Sequence, residues 1–130
     1  MFSVKGIFSV GLFLFGTTFL WMTREFLSDR KGADGGLWTA IQVLVLLAIV
    51  GFSAAGIGAF RGASWWEPVA VASAVVGLLA TVPYVVGVHS LGQLHDAGVG
   101  INIALHAAGP VIVIAIVVVP VLHDWLAERL

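Results

Sequence analysis

Residues 35–60 read GGLWTAIQVLVLLAIVGFSAAGIGAF, an uncharged run bounded by Asp34 and Arg61. Its length suits one α-helix across the hydrocarbon core of a bilayer, which needs about 20 apolar residues. The run is much longer than a strand of a membrane barrel requires, and it lacks the alternation of polar and apolar residues seen in such strands. It therefore predicts a transmembrane helix over residues 37–60.

Three further apolar runs flank this one and predict transmembrane helices near residues 5–23, 66–88 and 101–123. No charged residue falls near the middle of any of the four, where it would cost about 2.5–3.5 kcal/mol. Hydrophobic residues make up 60% of the chain and charged residues 10%, which is far from the composition of soluble domains. We predict an all-α fold, an integral membrane four-helix bundle that forms a single domain over residues 1–130.

The ends of these helices carry two supporting patterns. The five tryptophans lie near predicted ends, as in an aromatic belt whose indole N–H groups meet the wet interface; they are Trp21, Trp38, Trp65, Trp66 and Trp125. Ser64 and Glu67 have the spacing of a capping box, and Pro68 suits a first helical turn. The first run also fits a signal peptide, but no small-x-small cleavage site follows it.

Basic residues divide evenly between the two sides of the predicted bundle. One side carries Lys5, Arg61 and Arg129, and the other carries Arg24, Arg30 and Lys31. The positive-inside count therefore gives no orientation. The loop before residue 101 has no basic residue, which favours placing both termini in the cytoplasm, whereas the density of charge in the first loop favours the reverse. A dual-topology protein would show the same balance.

Small residues recur at intervals of four along the second and third helices. They are Gly51 with Ala55, Ala54 with Gly58, and Ser73 with Gly77 and Thr81. Such faces let helix backbones approach closely in lipid, where no hydrophobic driving force operates between helices. An oligomer interface or a pore lining would use the same pattern, but four helices must first pack against each other. We therefore expect Gly51 and Gly77 at contacts within the bundle.

Three of the four histidines cluster around the third predicted loop. His89 ends the third helix, His95 and Asp96 lie in the loop, and His106 lies about one turn inside the fourth helix. Imidazole is the commonest metal ligand among side chains and an axial ligand of haem. The sequence predicts a candidate cofactor site for haem b at His89 and His106. It also predicts a candidate divalent-metal site formed by His89, His95, Asp96 and His106.

His106 is distinctive within this group because Pro110 cannot donate a hydrogen bond to its carbonyl oxygen, which leaves that turn open. His123 follows 17 residues later, about 25 Å along a helix, and is expected at the opposite interface. The alternative for every one of these histidines is an interfacial anchor without a ligand. The neutral polar residues inside the runs are too few for a proton relay.

No catalytic motif is present. The chain has no G-x-S-x-G, P-loop or H-E-x-x-H segment and no cysteine, so we do not predict an enzyme. Its charges form no basic surface for nucleic acid. We predict a non-enzymatic binding module or accessory subunit with a haem or metal site. The alternatives are an oligomeric small-solute channel or transporter and a structural subunit of a larger membrane complex. Each of these three functions has the lipid bilayer as a partner.

Overall fold

The computed structural model describes residues 3–27, 32–33 and 35–129, and the regular structure within them is helical, with no strand. Five α-helices follow in order: α1, Val4–Thr18; α2, Gly36–Phe60; α3, Trp66–Ser90; α4, Ala97–Val118; and α5, Pro120–Ala127. Two 3-10 segments, Phe19–Met22 and Arg24–Phe26, follow α1. Arg30 and Lys31, which entered the charge count, lie outside the described residues.

Four of the helical segments are long and apolar enough to cross a membrane, namely Val4–Met22, Gly36–Phe60, Trp66–Ser90 and Gly98–Val118. The predicted all-α bundle of four spans is confirmed, and the protein is a small multi-pass membrane protein. The helices pack in chain order, because α2 lies against both α1 and α3 while α3 lies against α4. The 3-10 segment Phe19–Met22 reaches across this series and contacts α2, α3 and α4.

Glycines permit the closest contacts between these helices. A Cβ atom at Gly51 would overlap the side chain of Ser73, and one at Gly77 would lie 2.6 Å from Cζ of Phe19. Neither position has room for a side chain larger than hydrogen unless the helices separate. The prediction that Gly51 and Gly77 lie at contacts within the bundle is confirmed.

The fourth predicted helix differs most from the structure. It begins at Ala97 rather than at residue 101, and it stops at Val118. Val119 is extended, with φ −76° and ψ 119°, and Pro120 opens the separate helix α5. Proline restricts the residue before it to extended backbone, which explains the break. Residues 101–123 are therefore not one continuous helix.

The capping box predicted at Ser64 is wrong. Helix α3 begins at Trp66, its N-cap residue is Trp65 in helical geometry, and no side chain caps it. The carboxylate of Glu67, the second member of the predicted box, lies instead 3.0 Å from the ring of His123. A long-range partner has thus taken the place of the local one.

Tryptophan placement agrees with an aromatic belt only in part. Trp21, Trp65 and Trp125 are exposed, as expected at an interface. Trp38 and Trp66 are buried inside the bundle instead. The ring of Trp38 fills the space left by Gly87, and that of Trp66 meets Phe8 edge to face with centroids 5.4 Å apart. These two tryptophans therefore act as core residues near helix ends.

The change from α-helix to 3-10 helix at the end of α1 positions the site described next. The hydroxyls of Thr17 and Thr18 lie 2.6 Å from the carbonyl oxygens of Leu14 and Phe15, three residues earlier. Side chains that bond back to the preceding turn compete with the regular ladder of an α-helix. The following residues tighten into the 3-10 segment Phe19–Met22, which leaves carbonyl groups free for partners elsewhere in the bundle.

Candidate functional site

His106 lies deep in the bundle, near the middle of the span Gly98–Val118, and its side chain is fully buried. It follows the first residue of α4, Ala97, by nine positions, which places it about 14 Å along the helix at 1.5 Å per residue. The sequence placed it one turn from the loop only because the helix was expected to begin later. An ionisable side chain at this depth is a functional hypothesis by default.

Both ring nitrogens of His106 have partners within the chain. Nδ1 lies 2.8 Å from the backbone carbonyl oxygen of Asn102, and Nε2 lies 3.0 Å from Oγ1 of Thr18. A carbonyl oxygen can only accept a hydrogen bond, so Nδ1 carries the proton of a neutral ring. Nε2 is then the acceptor in the neutral ring and becomes a donor in the imidazolium.

The hydroxyl of Thr18 has two competing acceptors. Its Oγ1 lies 2.6 Å from the carbonyl oxygen of Phe15 and 3.0 Å from Nε2 of His106. A hydroxyl has one proton to donate and two lone pairs with which to accept. It can donate to a neutral His106, or it can donate to Phe15 while it accepts from the imidazolium. The geometry therefore satisfies both protonation states of the ring.

The backbone around His106 is satisfied by α3. Because Pro110 has no N–H, the carbonyl oxygen of His106 lacks its usual helical donor. The hydroxyl of Thr81 lies 3.1 Å from that oxygen and 2.8 Å from the carbonyl oxygen of Gly77. The single proton of this hydroxyl is shared between the two oxygens, so a threonine on the neighbouring helix compensates in part for the proline, as neighbouring helices do within a bilayer.

Asn102 joins the end of α1 to α3 and α4. Its side-chain amide donates to the carbonyl oxygen of Trp21 over 2.8 Å and to the hydroxyl oxygen of Tyr84 over 3.2 Å. Trp21 belongs to the 3-10 segment after α1, so this bond serves one of the carbonyl groups that the tightened helix leaves free. We call Thr18, Thr81, Tyr84, Asn102 and His106 the polar cluster.

Aromatic rings close the polar cluster on the side of α1. The ring of Phe19 lies 4.4 Å from that of His106 between centroids, and the ring of Phe15 stacks on it at 5.9 Å. Phe52 of α2 packs against both phenylalanines, at 5.8 and 5.2 Å. In such apolar surroundings a polar group without a partner would be costly, which accounts for the complete hydrogen bonding of the ring.

No protein-family model matches the chain, and neither a curated protein nor a solved structure is significantly similar to it.

The predicted ligand residues do not come together. His89, one residue before the end of α3, is exposed, as are His95 and Asp96 in the following turn, whereas His106 is buried. Among the described residues no group of three or more histidine, aspartate or glutamate side chains is placed to hold a metal ion. The late start predicted for α4 is the reason, because it placed His106 only about one helical turn from the loop.

Two features were missed by the sequence reasoning. Thr18 was not singled out, although the pair Thr17 and Thr18 interrupts an otherwise apolar run and could have drawn attention. His123 was expected without a partner, at the end of the bundle away from the third loop. It has a partner there, because its Nε2 lies 3.0 Å from Oε1 of Glu67. Nothing local in the sequence connects these two residues, which are 56 positions apart.

Proposed function

We propose that this multi-pass membrane protein is a proton-responsive module, a binding protein whose ligand is the proton and whose binding residue is His106. The observation that carries the proposal is the position of the Thr18 hydroxyl between two acceptors, Nε2 of His106 and the carbonyl oxygen of Phe15. A buried imidazolium needs an acceptor at each nitrogen, and both are in place. In this proposal Nε2 of His106 takes up one proton, and the proton is not passed on to another group.

Proton uptake at His106 would act on the contact between α1 and α4. Hydrogen bonds join α4 to α1 at Thr18 and His106, and to the 3-10 segment after α1 at Asn102 and the carbonyl oxygen of Trp21. An apolar groove of about 230 Å³ lies beside them, lined by residues of both helices that include Gly11, Phe15 and Gly109. Proton uptake adds a positive charge at this contact and reverses the Thr18 bond, so we expect the separation of α1 and α4 to respond.

Ring ¹⁵N NMR of histidine-labelled protein in lipid nanodiscs tests the proton site directly. The chain has four histidines, and loss of one signal in His106→Gln assigns the buried ring. We expect the Nδ1–H tautomer at neutral pH, conversion to the imidazolium on acidification of the folded protein, and a change in the aromatic signals of Phe15 and Phe19 in the same step. A His106 ring that keeps one tautomer until the protein unfolds would contradict the proposal.

Spin-label distances test the expected movement. The chain has no cysteine, so labels attached to Phe26→Cys and Gly98→Cys report only the separation between the 3-10 segment Arg24–Phe26, which follows α1, and the start of α4. We expect this separation to change with pH in the wild-type background and to stay constant with His106→Gln. A pair at Leu37→Cys and Ser90→Cys, on α2 and α3, is the control and should not change.

The haem or divalent-metal site predicted at His89 and His106, with His95 and Asp96, stays a prediction. A metal ion at His106 must displace either Thr18 or the Asn102 carbonyl from its ring nitrogen. The optical spectrum and metal content of the purified protein test this, and a bound metal should be released by acid. Oligomeric transport and membership of a larger complex are tested by the native mass and by flux into proteoliposomes.

A further inference from the structure

Helix α5 is joined to the bundle by a short hinge. Val119 is extended, and Pro120 begins the helix without a backbone N–H to continue the ladder of α4. Most of α5 faces outward, since Val121 is 76% exposed and Trp125 is 52% exposed. An eight-residue helix on a hinge of this kind keeps its position only through the contacts that it makes with the bundle.

Leu126 and His123 are side chains of α5 that meet the bundle. Leu126 is buried at 4% exposure, and Nε2 of His123 lies 3.0 Å from Oε1 of Glu67 in the first turn of α3. Behind this pair lies a cleft of about 260 Å³ between α5 and the turn that joins α2 to α3. Its walls include Ser64 and Trp66, so the cleft is partly polar and α5 forms one of its sides.

We propose that α5 is a pH-sensitive lid on this cleft, closed by the Glu67–His123 pair and hinged at Val119 and Pro120. The pair supplies charge attraction only while His123 is protonated. A neutral imidazole keeps at most a hydrogen bond to the carboxylate in one tautomer. Loss of the proton therefore leaves apolar contacts, such as that of the buried Leu126, to hold α5, and the lid opens.

The charged groups around the lid favour protonation of His123. The hydrogen bond and the negative charge of Glu67 raise the pKa of His123 above its usual value, and Asp124, whose carboxylate lies 3.7 Å from Nδ1, adds to the rise. Lys5 of α1 lies over Gly62 at the far edge of the cleft, and Arg61 in the same turn is exposed. Arg129 is occupied at the end of α5, where it stacks on Trp125.

The sign of the effect follows from the raised pKa. A group whose pKa is raised by the closed state stabilises that state below its ordinary pKa, and the contribution disappears as the pH rises through the raised value. The lid is therefore closed at mildly acidic pH and opens as the pH increases. Both partners are about one-third exposed, at 34% and 36%, so salt should shift the transition by screening the pair.

Spin labels on Ser64→Cys and Ala127→Cys, on opposite walls of the cleft, measure the opening in nanodiscs. Between about pH 5 and about pH 9 we expect the short-distance population to give way to a longer, broader one, with a midpoint above about 6.5. Glu67→Gln should abolish the transition, because protonated His123 then has no opposite charge on the bundle to attract it. His123→Gln should abolish the transition, while Asp124→Asn should shift it only slightly.

Several outcomes would overturn the lid. A single distance throughout the range would do so, as would a transition that persists in His123→Gln or in Glu67→Gln. A label pair at Ser90→Cys and Gly98→Cys, across the α3–α4 turn, checks that this turn does not move. The transition should survive in His106→Gln, because the lid does not depend on the proton site at His106.

Discussion

The hydroxyl of Thr81 lies 3.1 Å from the carbonyl oxygen of His106, the oxygen that Pro110 leaves without its helical donor. This relationship links α3 to α4 at the depth of the buried histidine. The contribution of the Thr81 hydroxyl to stability should therefore depend on the proline at position 110. With an alanine at position 110, a backbone N–H would be available to the same carbonyl.

A double-mutant cycle tests this dependence. Thr81→Val in the wild-type background removes the donor to His106 and should lower the free energy of unfolding by about 1 kcal/mol, as interhelical hydrogen bonds in membranes do. In a Pro110→Ala background the same change should cost less, since the new backbone N–H serves the carbonyl. Unfolding in mixed micelles measures both, and equal costs in the two backgrounds would contradict the compensation.

The sequence predicted the spans well because a helix that crosses the hydrocarbon core of a bilayer must be a long, uncharged and apolar run. It also identified the open carbonyl of His106, since a proline four residues later has a fixed consequence. It could not identify Thr18 or Thr81 as partners of His106. Uniformly apolar helices carry little periodicity to show which face meets which neighbour, so contacts between helices are read only from packing.

Packing also explains why His106 lies deeper in the bundle than the sequence predicted. The glycines of the third loop led us to begin the fourth helix at residue 101, whereas it begins at Ala97. That difference of four residues moves His106 by one helical turn, away from His89 and into the bundle. Helix ends are the least reliable part of a sequence-based prediction. The predicted set of ligand residues depended on where the fourth helix begins.

Glycine contacts give a second prediction. Gly51→Leu and Gly77→Leu should each lower the thermal stability in detergent, because the new side chains meet Ser73 and Phe19. Overpacking of this kind costs about 1–3 kcal/mol. Gly100→Leu is the matched control, since a Cβ at that position meets nothing within 4 Å. Similar melting of all three variants would show that the contacts of Gly51 and Gly77 do not limit stability.

Asn102 gives a third prediction. Asn102→Leu keeps the approximate size of the side chain but removes the donor to the carbonyl oxygen of Trp21 and to Tyr84. A buried carbonyl group that lacks a hydrogen-bond donor lowers the free energy of unfolding by about 1–3 kcal/mol, so we expect a clear loss of stability. Tyr84→Phe removes only the hydroxyl oxygen that accepts one of these two hydrogen bonds, so it should lower the stability less. The order of the two melting temperatures decides whether the bond to Trp21 is the larger contribution.

Thr18 gives the last prediction, and Thr17 supplies its control. Thr18→Val preserves the shape of the side chain while removing the oxygen that lies 3.0 Å from Nε2 of His106. The imidazolium then loses one of its two acceptors, and the neutral ring loses its donor. We expect a destabilisation of about 1 kcal/mol and the disappearance of the hydrogen-bonded Nε2 signal in the ¹⁵N spectrum.

Thr17→Val removes a hydroxyl whose partner is the carbonyl oxygen of Leu14, three residues earlier on the same helix. It changes the same residue type in the same turn of α1 without touching His106, so it should leave the imidazole spectrum as it is in the wild type. If Thr18→Val also leaves that spectrum and its pH response unchanged, then the Thr18 hydroxyl does not serve the ring. In that case His106 cannot be held in two satisfied protonation states, and the proton-responsive function would be wrong.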